Sequence, residues 1–186
     1  MNNCITSKEA ILKNCRQLVS KQGLQSLNMR TVAKECNVAL GSIYYYFPSK
    51  NDLLIETIES VWEDIFRLKD LDLDKLNFKE YIEVCFDHIL DGIQKYPNFF
   101  TIHSISLSTK DKIRAKDIMN KYVLRIKKRM EEVLDKDKDI KTDIFLNELS
   151  KEDFIDFVIS NIVYLLIQHK KDCDVLLKII YCILYI

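Results

Sequence analysis

The sequence predicts an all-α protein: a three-helix N-terminal head followed by a larger helical body, about nine helices in all. Three observations carry this. Only 3 Gly and 2 Pro occur in 186 residues, too few for the turns of an all-β fold. Apolar residues recur at helical spacing through each long segment. Helix-start signals, Ser or Thr followed three residues later by an acidic residue, stand ahead of several of those segments.

The first helix opens at Thr6-Ser7-Lys8-Glu9, a capping box, with Ile5 and Ala10 placed as its hydrophobic staple. Ile11, Cys15, Leu18 and Val19 mark one face, and Gly23 ends it. Asn28 caps a short second helix whose buried side is Val32, Ala33 and Cys36. The third helix runs over residues 40–47 and stops at Pro48, which cannot donate the next backbone hydrogen bond. Ser49-Lys50-Asn51-Asp52 is a second box, and it starts a long helix through Leu54, Ile58, Trp62, Ile65 and Phe66. After a linker at 70–74, residues 77–96 are helical, with Phe78, Ile82, Cys85, Phe86, Ile89 and Ile93 inward, until Pro97. Residues 98–107 form a short apolar segment read as a sixth helix, and 111–134 a long helix. The alternating charges of 135–143 predict a solvated loop. Ser150 caps a helix ending near residue 168, and Asp172 begins the last, 173–186.

The composition, 48% hydrophobic and 30% charged, is that of a globular chain. Net charge is zero, yet the charges are segregated. Residues 1–50 hold 7 Lys/Arg against 2 Asp/Glu, a net of +5, and residues 51–186 hold 21 against 26, a net of −5. A basic head steers a polyanion even when the total vanishes. The six cysteines form no C-x-x-C pair and read as small hydrophobes in a reducing compartment. Polar residues at the start argue against a signal peptide, and the longest apolar tract, 175–186, is too short to span a bilayer. A cytoplasmic protein with no membrane partner is expected. His88, His103 and His169 have no neighbours at metal spacing, and glycines at 23, 41 and 92 alone build no phosphate cradle. No catalytic residue, metal or cofactor is therefore assigned, and an enzyme is not expected.

Function concentrates in residues 29–48. Val32, Ala33, Cys36, Val38, Ile43 and Tyr46 fall where a helix-turn-helix needs its inner residues, and Asn37 sits where the turn wants a positive φ. The second helix of such a unit enters the major groove. Three consecutive tyrosines then make sense, since neighbouring side chains lie about 100° apart around a helix. Tyr44 and Tyr45 can each donate to a phosphate on a flank of the groove, while Tyr46 packs inward. Gly41 lets the helix start approach the bases, and Lys50 adds a charge at the next helix's first turn.

The stretches "ILKNCRQLVSKQG", "MRTVAKECNV" and "LGSIYYYFPSKNDLL", within residues 11–54, closely resemble the DNA-binding head of the TetR family of bacterial transcriptional regulators. The resemblance implies a head over residues 1–50 and a ligand-binding and dimerisation body over 51–186. It implies a homodimer joined by a four-helix bundle, a palindromic double-stranded DNA operator, and repression relieved by a small-molecule effector. It carries DNA contacts onto Arg30, Thr31, Leu40, Gly41, Ser42, Tyr44, Tyr45 and Lys50, with Tyr46 close by. Three positions depart from the family pattern: Ala39 for a capping serine, worth about 1 kcal/mol, Leu40 for a polar base reader, and Asn37 for a glycine. They bear on which DNA sequence is read.

In the body, Trp62, Phe66, Tyr81, Cys85, His88, Phe99, His103, Tyr122 and Ile126 are candidates to line a largely apolar cavity, and Asn161 interrupts an apolar helix. Residues 154–167 are apolar around nearly the whole circumference, which implies burial on all sides. Phe154, Val158, Ile162, Leu165, Leu176 and Ile180 are the expected dimer interface. A competing reading is a ligand-sensing module that works through a protein partner. It predicts loss of the phosphate-binding residues, whereas Tyr44, Tyr45 and Lys50 are all present.

Overall fold

The computed structural model of the chain describes residues 6–66, 75–96, 99, 109–141, 144–145 and 149–186. Among these, all regular structure is helical, as predicted. The α-helices are α1 (Lys8–Gln22), α2 (Met29–Glu35), α3 (Leu40–Tyr46), α4 (Lys50–Ile65), α5 (Phe78–Lys95), α6 (Thr109–Lys136), α7 (Lys151–Ile167) and α8 (Asp174–Leu184), with a 3-10 turn at Leu24–Ser26. The 98–107 segment (Phe99 apart), the 70–74 linker, Ile5 and His103 lie outside the described residues. The chain forms two compact units, Met1–Ile65 with Gly92–Asn120, and Phe66–Asp91 with Lys121–Ile186.

In the first unit α1 starts one residue later than the Thr6 box predicts. Ser7 is the N-cap, and its hydroxyl accepts from the Ala10 N–H at 3.1 Å. Glu9 is left in the first turn, where its charge suits the positive end of the helix. Gly23 ends α1 at φ 76°, a conformation glycine adopts freely, with its N–H on the Val19 carbonyl. Ile11, Cys15, Leu18 and Val19 are buried, as are Val32, Ile43, Phe47, Leu53 and Ile58 of the following helices and turn. Burial pushes the Cys15 thiol up to about 12, against a hydrogen bond with Thr57, which keeps it inert. Gly92 marks a close approach: a Cβ there would lie 2.9 Å from both γ carbons of Ile65.

In the second unit α5 begins with a reciprocal capping box. The Glu80 N–H donates to Asn77 Oδ1 at 2.9 Å, and the Asn77 N–H to Glu80 Oε2 at 3.0 Å. The 135–143 stretch is only in part the solvated loop its charges predict. Asp137 Oδ2 accepts from the Phe78 N–H at 2.9 Å and from the Tyr185 hydroxyl at 2.5 Å. It thereby holds the start of α5 and the end of the chain together, which no local pattern reveals. Phe78, Ile82, Phe86, Met130, Phe154, Val158, Leu177 and Ile180 form this unit's core.

The helix that reads as apolar all round, α7, divides into two faces. Phe154, Ile155, Val158 and Ile162 are buried, while Phe157, Val163, Tyr164 and Ile167 are exposed. On α8, Leu176, Leu177 and Ile180 are buried, and Val175 and Ile179 exposed. The expected interface residues are thus misplaced. Phe154, Val158, Ile162, Leu176 and Ile180 fill the chain's own core, and Leu165 is half-buried against it. The apolar surface left over is the opposite face of each helix. No helix among the described residues is long and apolar enough to cross a membrane.

Candidate nucleic-acid interface

The site is built on α2, the turn after it, and α3. Asn28 caps α2, with its Oδ1 accepting from the Thr31 N–H at 2.9 Å and its Nδ2 donating to Thr31 Oγ1 at 2.7 Å. Thr31 is half-buried and held by this cap, whereas Arg30 beside it is exposed. In the turn, Asn37 adopts φ 52°, as its position predicts. The Val38 N–H reaches back to the Ala33 carbonyl at 3.0 Å, closing the turn over α2.

Ile43 and Phe47, both at 0% exposure, anchor α3 in the core. Four positions apart, they fix which side of the helix faces in. The outward side then carries Leu40 at 37%, Tyr44 at 49% and Tyr45 at 81% exposure. Exposed aromatic rings of this size, on a helix already anchored elsewhere, are available to something outside the chain. Gly41 is exposed too, and an added Cβ there would meet nothing within 4 Å. Neither packing nor a positive φ requires glycine at this position. Ser42 is half-buried. α3 starts at Ala39 without a side-chain cap.

Tyr46 differs from its neighbours. It is half-buried, and its hydroxyl donates to the Thr6 carbonyl at 2.7 Å. The Tyr45 ring stands edge-on to it, 5.0 Å between centroids at 87°, so a fixed tyrosine braces an exposed one. Behind α3, Lys8 lies over the Phe47 ring at 5.6 Å and pairs with Glu56 at 2.5 Å. Lys50 is exposed in the first turn of α4. That turn is capped by Ser49, whose hydroxyl accepts from the Asp52 N–H at 3.1 Å and donates to the Asp52 carboxylate at 2.7 Å. This last bond, ahead of opposing burial and of Arg114 at 3.3 Å, holds the Asp52 carboxyl below the usual range. Arg114 is a contribution the sequence did not signal, since 62 residues separate it from Asp52.

The assembled surface presents Arg30, Leu40, Gly41, Tyr44, Tyr45 and Lys50, while Thr31, Ser42 and Tyr46 are partly withdrawn. Residues 7–57 match the bacterial regulatory proteins of the tetR family. The head belongs to the TetR family. Its sequence is also similar to an uncharacterised HTH-type transcriptional regulator of Haemophilus influenzae, 37% identical over 75 residues, covering 39% of this chain and 40% of that protein. It is similar to the HTH-type transcriptional repressor KstR of Rhodococcus jostii, 40% identical over 58 residues, 31% of this chain and 27% of that one. The matched stretch therefore spans less than half of either relative.

Beyond the TetR head, the fold of the whole chain is like that of the fatty acid degradation regulator FadR of Bacillus halodurans. The TM-score there is 0.62 at 16% identity, covering 94% of this chain and 93% of that one. It is also like FadR of Bacillus subtilis, solved with stearoyl-CoA, at TM-score 0.59 and 18% identity, covering 89% and 91%.

The cavity candidates divide between the units. Trp62 and Phe99 belong to the first and meet edge-on at 5.3 Å. Phe66 and Tyr122 belong to the second and stack at 5.9 Å. Tyr81 and Cys85, also in the second, are buried and hydrogen-bonded to each other. Burial, before that bond, pushes the Tyr81 hydroxyl up. His88 and Ile126 are half-buried. Asn161 donates to the Phe157 carbonyl of its own helix at 2.9 Å.

Proposed function

We propose that this chain is a ligand-responsive transcriptional regulator, acting as a repressor, that binds a palindromic operator as a homodimer. Residues 1–50 carry the DNA contacts, and residues 51–186 sense the effector and dimerise. The observation that carries the reading is the outward display of Tyr44 and Tyr45 on a helix locked by Ile43 and Phe47. Two phenols and the Lys50 ammonium supply phosphate donors, and Arg30 and Leu40 supply contacts to base edges. The same residues favour DNA over a protein partner as the target, because each suits phosphate or base recognition.

The exposed faces of α7 and α8 support dimerisation. Phe157, Tyr164, Ile167, Val175 and Ile179 leave an apolar surface that a second copy covers. The buried aromatic and thiol groups of the body support an apolar effector with few polar anchors. The protein acts in the cytoplasm, by binding alone, without catalysing a reaction. The test is a gel shift with DNA flanking the protein's own gene. A discrete, saturable complex that specific competitor removes supports the reading. Equal displacement by any duplex overturns it.

A further inference from the structure

On the first unit, away from α3, a cleft of about 350 Å³ is lined by Lys13, Arg16 and Lys21 of α1, Asp64 of α4, Lys95 of α5 and Tyr96 beyond it. Four cations face one carboxylate. That carboxylate is already engaged, since Asp64 Oδ2 accepts from Lys95 Nζ at 2.6 Å and from the Tyr96 hydroxyl at 2.6 Å. Arg16 donates to the Ser60 hydroxyl. Lys13 and Lys21 form no ion pair among the described residues. Once Asp64 and Lys95 cancel, three positive charges remain around a concavity. Walls of low dielectric focus such a field on whatever enters.

We propose that this cleft binds a small phosphate-bearing anion. Its volume falls in the range of small-molecule sites, and Gln17 and Ser20 on the same wall supply neutral donors beside the cations. Its place sets it apart from the DNA surface. The end of α3 meets α1 at Thr6 and Lys8, whereas Lys13 to Lys21 lie roughly 7–20 Å further along that helix at 1.5 Å per residue. On α4, Asp64 stands about 20 Å from Lys50 by the same rise. The site also differs in chemistry from an apolar cavity in the body, so it is a second ligand input carried by the head's own first helix.

The same phosphate chemistry is available from a free metabolite or from a DNA backbone, and one pair of measurements separates them. Inorganic pyrophosphate is titrated calorimetrically into the full chain at constant ionic strength. The wild type should show saturable one-to-one binding. Lys13→Gln/Lys21→Gln should weaken it on the order of 100-fold, about tenfold per charged hydrogen bond, and Lys13→Arg/Lys21→Arg should largely retain it. Both lysines are exposed, so thermal unfolding should be unchanged. In parallel, the glutamine variant should bind the duplex within about threefold of wild type at fixed salt. Absent or non-saturable pyrophosphate heat, or equal affinity in the glutamine variant, overturns the proposal. So does a parallel loss of DNA affinity with a shallower salt slope, which makes the cleft a DNA-backbone contact. The calorimetric arm needs no DNA, so it stands or falls independently of the regulator reading.

Discussion

The Tyr46 hydroxyl donates a 2.7 Å hydrogen bond to the Thr6 carbonyl oxygen, fastening the end of α3 to the residues just ahead of α1. The tyrosine triplet thus divides its work: Tyr46 holds the helix in place, and Tyr44 and Tyr45 face out. Tyr46→Phe keeps the ring and removes this bond. It should cost about 1 kcal/mol of stability, read as a fall in the unfolding midpoint. DNA affinity of the folded variant should fall less than in Tyr44→Phe. A Tyr46→Phe variant of unchanged stability but much weaker DNA binding would make Tyr46 a phosphate contact after all.

Leu40 bears on sequence choice. Between Leu40 and Phe47 the helix offers no Arg, Lys, Asn or Gln, so bidentate reading of guanine or adenine from α3 is ruled out. The exposed part of Leu40 beside Gly41 suits a thymine methyl. Replacing the contacted thymine by uracil should weaken wild-type binding and leave Leu40→Ala nearly unaffected. If no such replacement changes wild-type affinity, specificity comes from Arg30, Ser42 and DNA shape.

The two faces of α7 separate folding from association. Ile167 is 66% exposed and Ile162 only 4%. Ile167→Asp should give a folded monomer, while Ile162→Asp should fail to fold, since an unpaired charge in the core costs several kcal/mol. Sedimentation at micromolar concentration, with circular dichroism, distinguishes them. A wild-type monomer, or a dimeric Ile167→Asp protein, contradicts the assignment of this face.

Asp64 sets a pH dependence. Burial pushes its carboxyl up, but hydrogen bonds from Lys95 and Tyr96 and the charges of Lys95 and Arg16 outweigh it and hold the group below its ordinary 3.8. A carboxyl depressed in the folded state adds stability above its unfolded pKa, and loses it as pH falls through the folded value. Asp64→Asn should therefore be less stable than wild type at neutral pH, with the gap closing below about pH 4. Denaturant titrations at pH 7 and pH 3 measure it. A gap of equal size at both pH values removes the charge as its cause.

What was legible in the sequence was local. The caps at Asn28, Ser49 and Ser150 and the turn at Asn37 each depend on residues within four positions, and each is found as predicted. Of the two inner residues expected on α3, Ile43 is fully buried and Tyr46 half-buried, and the second anchor, Phe47, was not foreseen. Pairings across long separations were not legible: Arg114 with Asp52, Asp137 with Tyr185, and the Lys13–Lys95 cleft. The dimer residues were misassigned for a related reason. A helix apolar on every side does not say which side meets its own core, and that depends on where α5 and α6 pack.

The central claim, that the outward side of α3 and the start of α4 grip a DNA backbone, is tested most directly by salt dependence. Affinity for the duplex flanking the gene is measured for wild type, Lys50→Ala and Tyr44→Phe from low to high salt. Lys50→Ala should reduce the slope of log K against log salt by about one per subunit. Tyr44→Phe should leave the slope unchanged and lower affinity by on the order of 1 kcal/mol at every salt concentration and on every duplex alike. Wild-type affinity and slope in both variants would contradict the claim.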